Sequence, residues 1–314
     1  MKKPITSPYL GLLLGIAAVS TASLLIRLAQ VEAPSFVIAA GRLTIASLII
    51  GIFAWSKLRI ELPTQSRKTM LLLILAGFFL GFHFATWITS LEYTTVASSV
   101  VIVTTAPLWV AIFSPLILKE KITRWIVIGL IVSLAGSVIV GLNSACSLTS
   151  RQLVCQPLFA ITSGRMFIGN ILALLGAFLS AGYLIVGRST RNSLSLSSYT
   201  FVVYSVAALV LIFLVIITRQ KITGFSSMTY LYIIALAVIP QLIGHSSFNW
   251  ALKYLSAAVV SIALLGEPIG TVILSFLFLK ESPTLLEIVG GLLILCGIII
   301  SSRSRSNQQV MAKT

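Results

Sequence analysis

The sequence predicts an all-α integral membrane protein with ten transmembrane helices, arranged as two inverted five-helix repeats. Three observations predict this fold class. Of the 314 residues, 58% are hydrophobic and only 9% are charged, with a mean hydropathy of +1.07; long apolar runs follow one another; and the two halves of the chain align with each other. Because an ordinary soluble domain carries roughly 25% charged residues, this composition excludes a water-soluble enzyme, a disordered chain and a nucleic-acid-binding protein.

Ten apolar runs of about 20 residues, the length that crosses a bilayer, are separated by short polar segments. We name them spans 1 to 10, and they cover residues 8–28, 34–55, 69–90, 95–117, 124–142, 166–187, 197–218, 229–250, 257–279 and 284–302. The runs are continuously apolar rather than alternating, which indicates helices and not membrane strands. Span 1 follows Lys2 and Lys3 but is too long for the apolar core of a signal peptide, so we expect it to be retained.

The basic residues predict the orientation in the membrane. With the N-terminus in the cytoplasm, 15 of the 22 Lys and Arg residues fall on the cytoplasmic side, as the positive-inside rule requires. We therefore expect a multi-pass protein of the cytoplasmic membrane with both termini in the cytoplasm. Much of the net charge of +15 then reflects topology, and attraction to anionic lipids is secondary, so no nucleic acid partner is predicted.

An internal repeat becomes visible when the chain is shifted by 161 residues against itself. The coinciding residues are Gly15 with Gly176, Arg27 with Arg188, Pro107 with Pro268, Lys119-Glu120 with Lys280-Glu281, Gly129 with Gly290, Gly136 with Gly297 and, after a two-residue gap, Trp87 with Trp250. We expect a first repeat at 8–142, an external loop at 143–165, a second repeat at 166–302 and a cytoplasmic tail at 303–314. Five helices are an odd number, so the repeats are inverted, as in secondary transporters whose substrate site lies between the halves.

Two matching segments carry a family resemblance. One runs from Pro107 to Glu120, beginning PLWV and ending LKE, and the other from Gly266 to Glu281, beginning GEP and ending LKE; a glycine-spaced helix follows each. In these features, over nearly its whole length, the chain resembles ten-helix members of the drug/metabolite transporter superfamily with two EamA domains. The resemblance implies export of amino acids or other metabolites by alternating access, through a central cavity lined by spans 1, 3, 4, 6, 8 and 9. Arg42 also lies where such proteins often carry Arg.

Glu267 is the sharpest functional candidate. It lies near the centre of span 9, where a charge costs roughly 3 kcal/mol on insertion scales, so we expect its side chain to face the protein interior. There it can contact the ammonium group of a substrate or carry a proton. The structural alternative is that its carboxyl group bonds backbone atoms at a helix break next to Pro268.

Both histidines of the chain occur at equivalent places in the two repeats. His83 shares a helix face with Trp87, and His245 shares one with Asn249, because residues four apart are neighbours on a helix. Histidine can bind or relay a proton and tryptophan can hold a cation; alternatively, these groups bond one another between helices. The residues predicted to line the cavity are His83, Trp87, Thr104, Tyr183, His245, Asn249 and Trp250.

Arg42 and two prolines are further candidates. Arg42 falls in the outer third of span 2, where it can snorkel to the membrane surface or bind a carboxylate; its position favours snorkelling. Pro107 and Pro268 should each weaken a helix near mid-membrane, as a hinge for the transport cycle or as a static kink.

Two sets of residues are expected to have structural roles. Gly129 and Gly136 on span 5, and Gly290 and Gly297 on span 10, are spaced by seven and predict close helix packing. Spans 5 and 10 then pack together at the repeat interface or form a dimer seam, so a monomer and a homodimer both remain open. The Lys-Glu pairs at 119–120 and 280–281 are expected to hold helix ends rather than touch substrate.

The cysteines predict no metal site. Cys146 and Cys155 lie nine residues apart in the external loop, where they can form a disulfide or remain free thiols, and Cys296 is expected to pack within span 10. Two His and no Asp leave too few ligands for a zinc or two-metal centre, and the chain has no P-loop for ATP. No cofactor is predicted.

The leading hypothesis is therefore a secondary transporter that exports small metabolites. Its expected partners are a small-molecule substrate, membrane lipids and, where transport is coupled, protons. Efflux of toxic hydrophobic compounds is the alternative within transport, and a membrane-embedded enzyme acting on lipids is an alternative from another class. Polar residues spread near the midplane, rather than clustered at one interface, favour the transporter.

Overall fold

The fold is described from a computed structural model, over residues 7–149, 152–155, 164–191, 194–274, 276–277 and 284–303. Within these ranges nine helices are long and apolar enough to cross a membrane, and a shorter apolar helix over Arg124–Val140 lies where span 5 was expected. The predicted fold class is confirmed, since each of the ten spans is helical over its described residues apart from the breaks given below.

Six spans are single helices. They are Ser35–Glu61 for span 2, Arg67–Tyr93 for span 3, Arg124–Ala145 for span 5, Gly164–Thr190 for span 6, Leu196–Ile217 for span 7 and Leu285–Ser302 for span 10. Span 2 runs on past its predicted end because Lys57 and Arg59 are good helix formers, and a 3₁₀ turn at Leu62–Thr64 follows it. The helices thus extend beyond the apolar runs that reveal them.

Spans 4 and 9 are each interrupted just before their proline. Span 4 consists of Val96–Val103 and Ala106–Ile117, and span 9 of Ala257–Leu264 and Glu267–Leu274. Proline clashes with the carbonyl group four residues earlier, and Val103 and Leu264 are the residues at that position for Pro107 and Pro268. The predicted weakness is present in both repeats, and motion at these points remains a prediction.

Spans 1 and 8 are irregular as well, which the sequence analysis did not anticipate. Span 1 consists of Pro8–Val19 and Ala22–Ala29, and the hydroxyl groups of Ser20 and Thr21 between them donate to the carbonyl groups of Ile16 and Ala18. Span 8 comprises Ser227–Leu236, a π-helix over Ala237–His245 that contains Pro240, and Ser246–Ala251. Wide helical turns of this kind are frequent at functional sites.

The two repeats meet along paired spans, most extensively 5 with 10 and 3 with 6. A Cβ atom at Gly129 would lie 2.5 Å from the Gly297 carbonyl oxygen, and one at Gly136 would lie 2.5 Å from the Gly290 carbonyl oxygen. The prediction that spans 5 and 10 pack at the repeat interface is confirmed. The glycine faces of spans 5 and 10 meet each other within one chain, and a dimer seam on another face of these spans stays a prediction.

Two carboxylates at or beyond helix ends hold the first turns of other spans. The backbone N–H groups of Ser195 and Ser226 donate to Glu61 and Glu32, at 2.6 and 2.7 Å. A carboxylate at a helix N-terminus satisfies backbone donors that have no partner in the helix. The bonds from Ser226 and Thr229 hold the pKa of Glu32 below its usual value.

The loop at 143–165 contains a β-hairpin that the sequence analysis did not predict. Strand β1 is Cys146–Thr149 and strand β2 is Gln152–Cys155, paired antiparallel with Cys146 opposite Cys155. Cα atoms of directly opposed residues lie roughly 4.5–5.5 Å apart in such a pair, within the range that a disulfide spans. The backbone register is therefore compatible with the disulfide alternative, which remains a prediction.

We expect mass spectrometry after alkylation to find this disulfide. Of the three cysteines, only Cys296 should react in the denatured, unreduced protein, and all three should react after reduction. Replacing Cys155 by Ser should leave Cys146 reactive without reductant. Alkylation of all three cysteines before reduction would show free thiols instead.

Candidate functional site

A cavity lies at the helix breaks, between the two repeats, and several polar side chains reach its largely apolar wall. It has a volume of about 50 Å³, which is room for a few water molecules. Seven residues singled out from the sequence line it, namely Arg42, His83, Trp87, Thr104, Pro107, His245 and Glu267. The rest of the wall is Val19, Ala22, Val103, Ala106, Ser180, Ser261, Leu264 and Leu265. Spans 1, 3, 4, 6, 8 and 9 thus contribute, together with span 2 through Arg42.

Arg42 does not reach the membrane surface, so the snorkelling interpretation is wrong. Its side chain is 0% exposed, Nε donates to Gln241 Oε1 at 2.8 Å, and the guanidinium carbon lies 4.2 Å from the centre of the Phe84 ring. Sequence position alone could not reveal the amide and aromatic partners on spans 8 and 3 that hold the side chain inward. The two terminal nitrogens, Nη1 and Nη2, are buried without a hydrogen-bond partner.

Glu267 opens the second segment of span 9 and lines the same cavity. The backbone at the break is satisfied by turn hydrogen bonds from Leu265 N to Ile262 O and from Gly266 N to Ala263 O, at 3.1 and 3.0 Å. The Glu267 carboxyl group is therefore not needed for the break, and its Oε1 atom is buried without a partner. Among the described residues the one salt bridge lies elsewhere, between Glu120 and Arg188, so Arg42 and Glu267 line the same cavity without a direct ion pair. The two charges attract each other, and the Ser23 hydroxyl group lies close to the Glu267 carboxyl group.

His83 and Trp87 form a stacked pair on span 3, with ring centres 5.9 Å apart and nearly parallel planes. Nδ1 of His83 lies 2.9 Å from the carbonyl oxygen of Gly176 on span 6. Since a carbonyl group only accepts, Nδ1 carries the hydrogen, which leaves Nε2 as the other site for a proton. Trp87 Nε1 is a further buried donor without a partner.

His245 ends the π-helical segment of span 8 and also reaches the cavity. Aromatic rings surround it, with the ring centre of Phe84 at 5.3 Å, Phe248 at 6.4 Å and Tyr183 at 6.5 Å. The two histidines thus face one cavity from the two repeats.

Three of the predicted cavity residues lie away from this cavity. Tyr183 donates to Asn249 Oδ1 at 2.6 Å, and Asn249 Nδ2 donates to Tyr204 at 3.3 Å, so these polar groups bond between spans 6, 7 and 8. Trp250 packs against Gly11 of span 1 and lines a separate groove. Asn249 and Trp250 lie in the regular helical segment Ser246–Ala251 that follows the π-helix, and Tyr183 lies on span 6.

Sequence reasoning missed two important neighbours, Gln241 and Phe84. Gln241 is fully buried within span 8 and positions Arg42, and Phe84 lies between Arg42 and His245. A glutamine inside an apolar run is a signal that could have identified Gln241. Phe84 carried no such signal, because one phenylalanine among many apolar residues looks like ordinary packing.

The cavity therefore presents a cation with free donors, an anion with a free acceptor, and an indole donor. Such groups suit a small polar molecule that carries both charges, since a guanidinium binds carboxylates through two parallel N–H bonds. Among the described residues no cluster of three His, Cys or Glu could hold a metal ion.

Comparisons with known proteins agree with this architecture. The model of the EamA-like transporter family matches residues 6–142 and 167–303. Similar proteins include the uncharacterized transporters YxxF and YdfC of Bacillus subtilis (strain 168). YxxF is 25% identical over 270 residues, covering 85% of this chain and 81% of that protein, and YdfC is 26% identical over 262 residues, covering 82% and 78%.

A crystal structure of another protein has the same fold. It aligns with a TM-score of 0.73 at 17% sequence identity, over 95% of this chain and 98% of that chain. Because the family match covers both five-helix halves, the chain belongs to the EamA-like transporter family and is a membrane transporter.

Proposed function

We propose that this transporter is a secondary carrier that exports a small zwitterionic metabolite, such as an amino acid, by alternating access. One observation carries the proposal: Arg42 and Glu267 line one cavity, and Nη1 and Nη2 of Arg42 and Oε1 of Glu267 are buried without a hydrogen-bond partner. Arg42 binds the carboxylate of the substrate in this proposal, and Glu267 contacts its ammonium group.

The energetic argument is that unpaired charges inside a membrane are expensive. Each costs roughly 3 kcal/mol or more on insertion scales, and leaving a buried polar atom unsatisfied adds about 1–3 kcal/mol. A substrate with both charges supplies the missing partners at once, which favours its binding over that of a neutral molecule. Glu267 is also our candidate for proton coupling, with His83 and His245 beside it.

The cavity must widen to admit such a substrate, since about 50 Å³ holds only a few waters. The interruptions of spans 4 and 9 adjoin this cavity, and Pro107 and Pro268 begin the segments that follow. We propose that these points act as hinges when the cavity opens, because hinges are positions that absorb backbone rotation.

The proposed setting is the cytoplasmic membrane, with both termini in the cytoplasm. The support is the excess of basic residues on that side, 15 of 22. In this orientation the hairpin of β1 and β2 is external. Monomer and homodimer both remain compatible with the proposal.

Flux of radiolabelled amino acids in proteoliposomes tests the substrate class. Replacing Arg42 by Met should lower flux by at least about tenfold, because the carboxylate loses a charged two-point contact. The matched control is Arg59→Met, which removes the same group from an exposed position at the end of the same helix and should preserve flux. Full amino-acid flux in the Arg42 variant would contradict the proposal.

Efflux of amphipathic toxic compounds is a second candidate, favoured by a separate groove. The groove has a volume of about 700 Å³ and lies between spans 1, 7 and 8, among Leu10, Leu14, Leu242, Ile243 and Trp250. Leu10 and Leu14 are exposed, so the groove opens on the membrane-facing surface. Extrusion of a lipophilic dye from the same vesicles, without amino-acid flux, would select this function.

A further inference from the structure

We propose that the ion pair between Glu120 and Arg188 is a gate that closes one end of the central cavity and breaks when the cavity opens to that face. The inference rests on the proposed alternating-access function. Glu120 follows span 4 in the first repeat, and Arg188 lies in the last turn of span 6 in the second. Arg188 Nε donates to Glu120 Oε1 at 2.7 Å.

Glu120 and Arg188 form hydrogen bonds at the ends of four spans that line the cavity. Glu120 Oε2 accepts from Ser114 on span 4, at 3.1 Å, and from the backbone N–H of Ala257 at the start of span 9, at 3.2 Å. Arg188 Nη1 donates to the carbonyl oxygen of Leu252, just after span 8, at 2.8 Å. Spans 4, 6, 8 and 9 are therefore joined at a single point on one face.

The bonds divide into those within a repeat and those between repeats. Ser114 to Glu120 stays within the first repeat, and Arg188 to Leu252 stays within the second. The contacts of Glu120 with Arg188 and with Ala257 cross between the repeats. At this pair, the two contacts between the repeats are therefore both made by one carboxylate.

The repeat symmetry shows which bonds of Arg188 occur in both repeats and which occur in one repeat alone. Arg27, the counterpart of Arg188, donates through Nη1 to the carbonyl oxygen of Leu91 at 2.8 Å, and Leu91 is the counterpart of Leu252 at the same offset of 161. The arginine–carbonyl bond thus belongs to the repeat itself and occurs in both halves. The contacts of Glu120 with Arg188 and Ala257, in contrast, run between the two halves.

The Glu120–Arg188 pair is partly exposed to water, which suits a contact that forms and breaks. The side chains of Arg188 and Glu120 are 23% and 17% exposed, so water reaches both and can replace each partner. Ion pairs of this kind contribute little net stability, and a small contribution is what allows two states to remain close in energy.

A reporter thiol in the cavity tests the gate. In a chain whose native cysteines are replaced by Ser, the Ser180→Cys substitution places a thiol in the cavity wall, and a membrane-impermeant maleimide is applied to each face separately. A second reporter, Lys121→Cys, is exposed beside Glu120 and establishes which face carries the pair. This readout needs no substrate, so it tests the gate even in a chain that moves no amino acid.

Glu120→Gln and Arg188→Gln should each raise the labelling rate of the Ser180→Cys reporter from the Lys121 face by about fivefold, because the open state gains population. The double variant should show no further rise, since both changes remove one interaction. The control, Glu61→Gln, removes a carboxylate that also holds the start of a span but pairs with hydroxyl and backbone groups rather than a cation, and it should leave the rate unchanged.

Three results would contradict the proposal that this ion pair is a gate. They are an unchanged rate in both single variants, an equal rise in Glu61→Gln, and a rise confined to the opposite face. Failure of the substrate proposal is distinguishable, because it would abolish the effect of Arg42→Met on flux while leaving these labelling rates as expected.

Discussion

Replacing Glu267 by Gln is expected to abolish transport while the chain still folds and inserts. The substitution keeps the size of the side chain and removes its charge. Loss of one partner of a desolvated charge pair costs about 2–5 kcal/mol, so flux in proteoliposomes should fall by roughly 100-fold or more. The fold should be retained, because the helix break is closed by turn bonds and a glutamine has the size of the glutamate that it replaces.

The matched control is Glu287→Gln. Glu287 lies in the first turn of span 10, where its carboxylate accepts from the backbone N–H of Thr284 at 2.8 Å, and a glutamine oxygen can accept the same bond. This variant should retain flux close to that of the unmodified chain. Full activity of Glu267→Gln, at equal amounts of protein in the vesicles, would show that the charge is not used in transport.

The sequence predicts some of the helix breaks and misses others. The two groups have different physical causes. Pro107 and Pro268 interrupt spans 4 and 9 because proline acts on its own helix, so a local signal was sufficient. The break of span 1 at Ser20 has no proline, and the Ser20 hydroxyl also contacts the carbonyl oxygen of Glu267 on span 9, at 3.1 Å. A break supported by another span is a tertiary effect that no single segment reveals.

Some residues of the candidate site could likewise be identified from the sequence, and others could not. Glu267 and His83 were identified because a charged or titratable residue inside an apolar run is expensive, which is visible in the sequence. The surroundings of Arg42 were not visible, since Gln241 and Phe84 come from other spans. Snorkelling was therefore the natural expectation for a position in the outer third of span 2, and tertiary hydrogen bonding reversed it.

The repeats are similar in sequence but not in conformation. Span 8 contains π turns, whereas its counterpart, span 3, is a regular helix, and span 1 is broken, whereas its counterpart, span 6, is continuous. Spans 1 and 8 pack together, as do spans 3 and 6. Under the proposed alternating access, such a difference is expected of a single state, because inverted repeats exchange conformations during the cycle.

Substitutions at two adjacent glycines should show how much the close contact between spans 5 and 10 contributes to stability. Gly290→Ala would place a Cβ atom 2.7 Å from the carbonyl oxygen of Gly136 and 2.7 Å from a side-chain carbon of Val140, whereas Gly291→Ala would meet only Ile269, at 3.8 Å. The first change forces two backbones apart and the second fits in existing space. Overpacking of this kind typically costs about 1–3 kcal/mol.

We therefore expect Gly290→Ala to lower the Tm of the detergent-solubilised protein by several degrees and to reduce the folded yield. Gly291→Ala should leave the Tm unchanged or raise it, because alanine favours a helix over glycine by about 1 kcal/mol. Both variants make the same chemical change one residue apart, so their difference isolates the contact between the repeats. Equal Tm values would mean that the close contact between spans 5 and 10 contributes little to the stability of the fold.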